Sequence, residues 1–290
     1  MRLGPHMTLP LADSIERLLG RRPLRVAPLG GRCIAPVYRC DLAGGARVVA
    51  KQPSPGRTLE CEAWMLRYLA ENSALPVPAV LAAEPDLLLL EYIASGDPID
   101  ARAEAHAAEL LAALHAIRGP HFGFPRDTLI GPLDQPNPPT PRWLDFFREH
   151  RLLHRARAAH EAGRLSARLL ARIEVLAGRL DRWIEEPAHP ALIHGDCWSG
   201  NVLAKGGRIA GFIDPAIHWA HPEIELAFGA LFGPFGDAFF RRYAELAPLS
   251  PGFFEARRNL YNLCPLLVHV QLFGGGYANS VARTLDRFGV

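Results

Sequence analysis

The chain has 290 residues, 49% of them hydrophobic, and mixes 32 Lys and Arg with 30 Asp and Glu for a formal net charge of +2. That is enough apolar material to bury a core in one large domain or in two units. The balanced charge, with no basic run, argues against nucleic acid as a partner.

In chain order, Asp13 reads as the cap of a short helix with Ile15, Leu18 and Leu19 on its apolar side. Residues 24–29 pattern as a strand, Gly30-Gly31 punctuates it, and extended character resumes over 33–40. Gly44-Gly45 reads as a hairpin turn and Arg47-Val48-Val49-Ala50-Lys51 as the next strand. Residues 59–71 form an amphipathic helix pattern with Ala63, Leu66 and Leu69 inside. Residues 87–91 are an apolar run too short for a helix and long enough for a buried strand. After Gly96-Asp97-Pro98 the pattern turns helical. It predicts helices over 103–117, 143–162 and 164–185, with a long Gly- and Pro-rich structured loop over 117–141. A Gly/Asp-rich turn over 194–201 and a strand over 208–213 interrupt this region, and the chain from His221 onward is again helical. The expectation is an α+β chain. It has a β-rich unit with one inserted helix over 1–93 and a larger, mostly helical unit over 94–290, joined near residues 92–95.

Cys33, Cys40, Cys61, Cys197 and Cys264 are odd in number and irregularly spaced, with no C-x-x-C pair, so neither a zinc site nor a secreted disulfide framework is expected. The N-terminus has no apolar core of a signal peptide, and no apolar run reaches the ~18–20 residues that span a bilayer. A cytoplasmic protein without a membrane partner is expected. Gly4-Pro5-His6-Met7 resembles an expression remnant, which makes Met7 a candidate natural start.

The segment that carries chemistry is Leu192-Ile193-His194-Gly195-Asp196-Cys197-Trp198-Ser199-Gly200-Asn201-Val202, followed by Gly211-Phe212-Ile213-Asp214-Pro215. Phosphoryl transfer from ATP needs a carboxylate to orient the acceptor hydroxyl and hard oxygen ligands to hold Mg²⁺ against the phosphates. Asp196 and Asn201 have the D-x-x-x-x-N spacing of a kinase catalytic loop, and Asp214 follows on the next strand, where it could share the metal with Asn201. D-x-x-x-x-N by itself is common and could be a capped turn; the full order, H-G-D-x-x-x-x-N, hairpin, apolar-x-D, is far more specific. Upstream, Lys51 ends an apolar strand in a chain whose only other lysine is Lys205. Such a lysine would meet the phosphates and pair with a helix glutamate, Glu62 by preference over Glu60. The hairpin around Gly30 and Gly31 would cover the phosphates, although it lacks G-x-G-x-x-G. Cys33 at its tip is either inert or an oxidisable thiol able to pair with a second copy's Cys33.

The segment Trp198-Ser199-Gly200-Asn201 resembles that of the fructosamine kinase (ketosamine 3-kinase) family, within the aminoglycoside-phosphotransferase-like kinases of the two-lobed protein-kinase-like fold. Similar segments are Phe122-Gly123-Phe124, Ile130-Gly131, Gln135-Pro136-Asn137, Trp143-x-x-Phe146-Phe147, His221-Pro222-Glu223-Ile224-Glu225-Leu226-Ala227, Tyr261-Asn262-Leu263 with His269, and Leu272-Phe273-Gly274 with Gly276-Tyr277. The resemblance runs from about residue 14 to residue 288. It implies ATP- and Mg²⁺-dependent phosphorylation of the sugar 3-hydroxyl of ketosamines (fructosamine, ribulosamine, erythrulosamine), free or protein-borne, a step linked to deglycation. It implies Asp196 as base, Asn201 and Asp214 as metal ligands, and Lys51 with Glu62 as the ion pair. The backbone of Glu91, Tyr92 and Ile93 becomes the adenine hinge, and Trp198 a substrate contact. His221 and Glu223 either border the substrate or simply start a helix; His194 and Glu225 are read as loop support, and His115 as packing. The departures are Cys197 where Leu is usual, Ala220 for Gly, and an unfamiliar Arg- and His-bearing segment after Arg151. Other readings are a kinase for another small acceptor (an aminoglycoside, choline or a hydroxy-amino acid) and a nucleotide-binding pseudokinase, as monomer or as homodimer through Cys33.

Overall fold

The computed structural model describes residues 10–29, 35–54 and 59–290. The chain divides into two compact units, Met1–Asn72 with Pro76–Ala94, and Ser73–Leu75 with Ser95–Val290.

The first unit contains α1 (Leu11–Leu19), β1 (Pro23–Pro28), β2 (Val37–Leu42), β3 (Arg47–Lys51), α2 (Glu60–Asn72), β4 (Val80–Glu84) and β5 (Leu87–Glu91). The strands form one antiparallel sheet in the order β1-β2-β3-β5-β4. Period-two alternation sorts its side chains onto two faces. Val48, Ala50, Leu87 and Leu89 pack with Ile15 of α1, whereas Leu88 and Leu90 pack with Ala63 and Leu66 of α2. Leu87 to Leu90 are each at most 3% exposed, and full burial of such side chains contributes about 1.5–3 kcal/mol apiece. Lys51 pairs across the ladder with Leu88, so the same alternation turns it to the α2 face. Asp13 is not the cap of α1: Pro10 holds that position, and Asp13 sits in the first turn, paired with Arg22 at 2.8 Å. The Gly44-Gly45 turn forms with φ +81° and +82°, angles that glycine adopts freely. Strand β4, which the sequence did not announce, completes the sheet.

The second unit contains α3 (Ala101–His115), the hairpin β6 (Thr128–Ile130) and β7 (Leu133–Gln135), then α4 (Trp143–Phe146), a π-helical turn over Phe147–Leu153, and α5 (His154–Glu161). Next come α6 (Ala167–Ala177), β8 (Ala191–Ile193), β9 (Val202–Lys205), β10 (Arg208–Phe212) and β11 (His218–Ala220). Helices α7 (Glu223–Leu231), α8 (Asp237–Leu246), α9 (Arg258–Tyr261), α10 (Leu263–Phe273) and α11 (Gly276–Arg287) follow, with a second π-helical turn over Phe253–Arg257. Asp100 starts α3 by accepting from the amides of Arg102 and Ala103 at 3.1 and 2.9 Å. The helix expected over 164–185 is shorter than its pattern. Ser166 caps it at 3.3 Å from the Leu169 amide, and it ends before Gly178. The expected 117–141 loop contains the β6–β7 hairpin, too short to register as alternation. Among the described residues, no helix is long and apolar enough to cross a membrane.

Candidate active site

Strand β8 runs into a loop over 194–201 that re-enters the fold as β9. Gly195 makes the turn at φ +87°, and a Cβ there would stand 2.1 Å from the Ala216 carbonyl oxygen, so neither conformation nor space admits a side chain. Inside the loop the Trp198 amide donates to the Asp196 carbonyl at 3.1 Å and the Asn201 amide to the Trp198 carbonyl at 2.9 Å. The Asn201 side-chain NH₂ donates to the Asp196 carbonyl at 3.0 Å and to its carboxylate at 2.8 Å. That orientation leaves Oδ1 as the uncommitted oxygen of the Asn201 amide.

The β9–β10 hairpin then carries the chain back. Phe212 pairs with Val202, the Ile213 amide donates to the Asn201 carbonyl at 3.0 Å, and the Ala216 amide donates to the His194 carbonyl at 2.8 Å. Asp214 lies between these two tethers. Its φ of +55° is the one positive value on a non-glycine among the described residues. Asp tolerates this left-handed conformation, and such strain concentrates at functional sites.

Asp196 keeps part of its surface open. Its recessed position, followed by the negative charge of Asp214, pushes its carboxyl up to about 8 against the pull of the Asn201 hydrogen bond. Among the described residues, burial, two carboxylates and an amide set that balance, with no basic side chain contributing. A site of hard oxygens with excess negative charge fits a divalent cation: Asn201 Oδ1 and the Asp214 carboxylate supply the donor types that Mg²⁺ takes.

Glu225, on α7, supports the loop from behind. Its two oxygens accept from the Gly195 amide at 2.6 Å and the His194 amide at 3.2 Å, and from His115 Nε2 at 2.8 Å. His115 Nδ1 lies 2.7 Å from the Tyr243 hydroxyl. Since Nε2 donates to the carboxylate, Nδ1 accepts from the hydroxyl. Burial would raise the Glu225 carboxyl, but His115, His194 and the Gly195 amide outweigh it and hold the carboxyl below its ordinary 4.5. His115 therefore does more than pack: it orients the carboxylate that holds the loop. His194, Cys197 and Glu225 bring their polar atoms within 4.8 Å of one another, all buried. Glu225's oxygens are already engaged there, which makes this group loop support. The Cys197 thiol is pushed well up by burial and by Glu225 and is unreactive.

Trp198 is half-buried and lies flat on its own loop. A Cβ on Gly200 would meet its ring at 2.4 Å, so Gly200 is the residue that lets the indole lie there. His221 and Glu223 are not brought beside Asp196. Ala220 pairs with Ala191 and His218 with Ile193, so His221 follows the ladder at the end opposite the loop. Glu223 spends both oxygens on Arg257 at 2.6 and 2.7 Å. His221 accepts the Glu223 amide at Nδ1, 3.2 Å; burial, then the charge of Arg257, pushes it down to about 3. Arg257 carried no sequence signal linking it to Glu223.

His269, Phe273 and Tyr277, which the sequence marked only as part of the family pattern, come together with Phe232. The rings of Phe232, His269, Phe273 and Tyr277 form one half-exposed platform, with His269 centred 4.6 Å from Phe232 and 4.9 Å from Tyr277. His269 Nδ1 donates to the Pro265 carbonyl at 2.8 Å, which leaves Nε2 as an acceptor. Glu225 and Phe228 lie three residues apart on α7, and Phe232 caps the end of that helix, so the platform adjoins the helix that holds the loop.

In the first unit, Lys51 Nζ meets Glu62 Oε1 at 2.6 Å, and Glu62, not Glu60, is the partner. Lys51 is 7% exposed. At the end of β5, the Glu91 amide donates to the Ala79 carbonyl at 2.9 Å, and the Arg47 guanidinium lies 5.7 Å from the Tyr92 ring centre. Ile93 is half-buried. Gly30, Gly31 and Cys33 lie outside the described residues.

The fructosamine kinase family model matches residues 18–289. The chain belongs to the fructosamine kinase family. A Synechocystis protein provisionally named a ketoamine kinase is 34% identical over 96% of this chain and 95% of its own. A chloroplastic protein-ribulosamine 3-kinase of Arabidopsis thaliana is 29% identical over 91% of this chain and 82% of its own. A Thermobifida fusca crystal structure, provisionally named a fructosamine-3-kinase, superposes with a TM-score of 0.86 at 35% identity, covering 96% and 97% of the two chains. The aminoglycoside phosphotransferase APH(4)-Ia shares the fold, with a TM-score of 0.66 at 19% identity over 96% of each chain. This member of the family is an α+β, protein-kinase-like phosphotransferase, and kinases of this kind use ATP.

Proposed function

We propose that the chain is an ATP- and Mg²⁺-dependent kinase that phosphorylates the 3-hydroxyl of ketosamines, free or protein-borne, in the cytoplasm. The observation that carries this reading is the joined arrangement of Asp196, Asn201 and Asp214 in a fructosamine kinase chain: an amide fixed on one carboxylate, and a second carboxylate returned by the hairpin. Asp196 orients the acceptor hydroxyl and takes its proton late in transfer. Asn201 and Asp214 are the residues that would hold Mg²⁺, which when bound offsets charge on the phosphates and draws the Asp196 carboxyl back towards its ionised form. Lys51, fixed by Glu62, is assigned to the phosphates, and the backbone of Glu91, Tyr92 and Ile93 to the adenine. Gly30 and Gly31 belong to the same nucleotide-binding proposal. Trp198 and the platform around His269 offer apolar faces and a single acceptor, the chemistry that suits a sugar joined to an amine. Positioning and fixed charge carry most of the rate, because a loose phosphoryl transition state asks little covalent chemistry of the protein. His194 and Glu225 serve as supports. We assign His221 and Glu223 to support as well, from their partners and their place on the ladder.

The test is ATP consumption with Mg²⁺ against ribulosamine, erythrulosamine and fructosamine, beside an Asp196→Asn protein. Turnover on at least one, lost in Asp196→Asn while nucleotide still binds, is the expected result. Nucleotide binding with no turnover on any ketosamine would overturn the proposal.

A further inference from the structure

Behind the catalytic loop lies a buried polar cluster that the reaction itself does not use. Arg151, in the π-helical turn, is 1% exposed. Among the described residues no carboxylate forms an ion pair with it. Its guanidinium instead donates to the Pro136 carbonyl at 2.8 Å, to the His150 carbonyl at 2.9 Å, and to Asn137 Oδ1. Its Nε donates to His218 Nε2 at 3.3 Å. That bond fixes the tautomer, so His218 carries its proton on Nδ1 and donates it to the Ala216 carbonyl at 3.1 Å. Burial, then the Arg151 charge, pushes His218 well below its ordinary range, so the ring relays hydrogen bonds as a neutral group. The same Ala216 oxygen accepts a second bond from Gln135 Nε2 at 3.0 Å. Gln135 is anchored by Thr128 Oγ1 at 2.9 Å, which also accepts from Asn137 at 2.8 Å.

Ala216 sits where the two acid-bearing segments meet. Its amide is bonded to the His194 carbonyl at 2.8 Å. Its carbonyl oxygen stands where any Cβ on Gly195 would fall, 2.1 Å away. Asp196 is the next residue after Gly195, and Asp214 lies two residues before Ala216 in a left-handed turn. Arg151, Gln135 and His218 also line one cavity of about 30 Å³ with Gly195 and Glu225, which places the clamping groups beside the loop.

We propose that Arg151, His218 and Gln135 form a positioning clamp on the Ala216 carbonyl that sets the spacing of Asp196 and Asp214, and thereby the affinity for the nucleotide's divalent cation. The clamp stands on the hydrogen bonds; its effect on cation affinity rests on the kinase reading above. A buried network of this kind is rigid only when every member is satisfied. Loss of one donor leaves the shared carbonyl, and the strained Asp214 turn beside it, free to relax.

The experiment uses the full chain, with Mn²⁺ titrated in the presence of a non-hydrolysable ATP analogue, and with amide hydrogen exchange on the same proteins. His218→Leu removes the relay. His218→Asn retains an N–H at the position of Nδ1. The expected result is at least a tenfold weaker Mn²⁺ affinity and faster exchange of the Ala216 amide in His218→Leu, with the β9–β10 amides unchanged. His218→Asn is expected to stay within about threefold of the wild type. If His218→Leu fails to fold, Gln135→Met removes the other donor to the same oxygen and is read in the same way. A folded variant with wild-type affinity and wild-type exchange overturns the clamp, as does an equal loss in His218→Leu and His218→Asn. Asp214→Asn is the reference: wild-type Mn²⁺ affinity there would refute the cation assignment, and the Ala216 exchange rate alone would then decide the clamp.

Discussion

Glu225→Gln keeps the shape of the side chain and removes its charge and one of its two acceptors. The carboxylate accepts from the Gly195 amide on one oxygen and from the His194 amide and His115 on the other. A glutamine NH₂ must face one of these backbone donors, whichever way the amide is turned. His115 can exchange tautomers with Tyr243 and adapt; a backbone N–H cannot. One buried donor is left unsatisfied, at about 1–3 kcal/mol, and the bonds that remain lose their charge assistance, about half their strength. The expected loss is about 3 kcal/mol, or roughly 6–12 °C in Tm for a unit of this size. Thermal and urea unfolding measure it, and kcat should fall roughly a hundredfold as the loop shifts. The pH dependence has a definite sign. The folded carboxyl is held below 4.5, so its contribution is present above that value and lost as pH falls through the folded value. The gap between wild type and variant should be flat between about pH 6 and pH 8 and close below about pH 4.5. A gap under about 0.5 kcal/mol, well short of a lost buried bond, or one that widens on acidification, would refute this account of the loop.

Three other perturbations probe separate parts of the molecule. Lys51→Met should fold, because its ladder partner Leu88 is apolar, yet bind ATP at least tenfold more weakly, about 1.4 kcal/mol, by calorimetric titration; undiminished affinity would remove Lys51 from the phosphate site. Gly195→Ala puts a Cβ 2.1 Å from the Ala216 carbonyl in a left-handed turn, and should cost about 3 kcal/mol or more together with all measurable turnover. Wild-type kinetics in Gly195→Ala would mean that the loop can open without consequence. Arg257→Met strands the buried Glu223 carboxylate and should lower stability by about 3–5 kcal/mol, whereas the Arg257→Met/Glu223→Gln double variant should recover most of that loss. Equal losses in single and double variants would show that the ion pair itself contributes little.

Features that depend on order and period were legible in the chain. H-G-D-x-x-x-x-N followed by a hairpin and Asp214 marks the site, because a short loop over 194–201 and an antiparallel return bring three residues together by local geometry. Strand alternation likewise puts Lys51 on the α2 face, and helical spacing selects Glu62 over Glu60. Short strands such as β6, β7, β8 and β11 were invisible, since three residues carry no period, and β8 and β11 also find each other only across the intervening β9–β10 hairpin. What stands behind the loop is set by long-range packing. His115 reaches Glu225 from 110 residues away, Arg257 meets Glu223 across 34, and Arg151 reaches His218 across 67. These are buried polar groups whose partners are chosen by the need to satisfy every donor and acceptor out of water, a constraint that acts on the folded chain and leaves no spacing rule in the sequence.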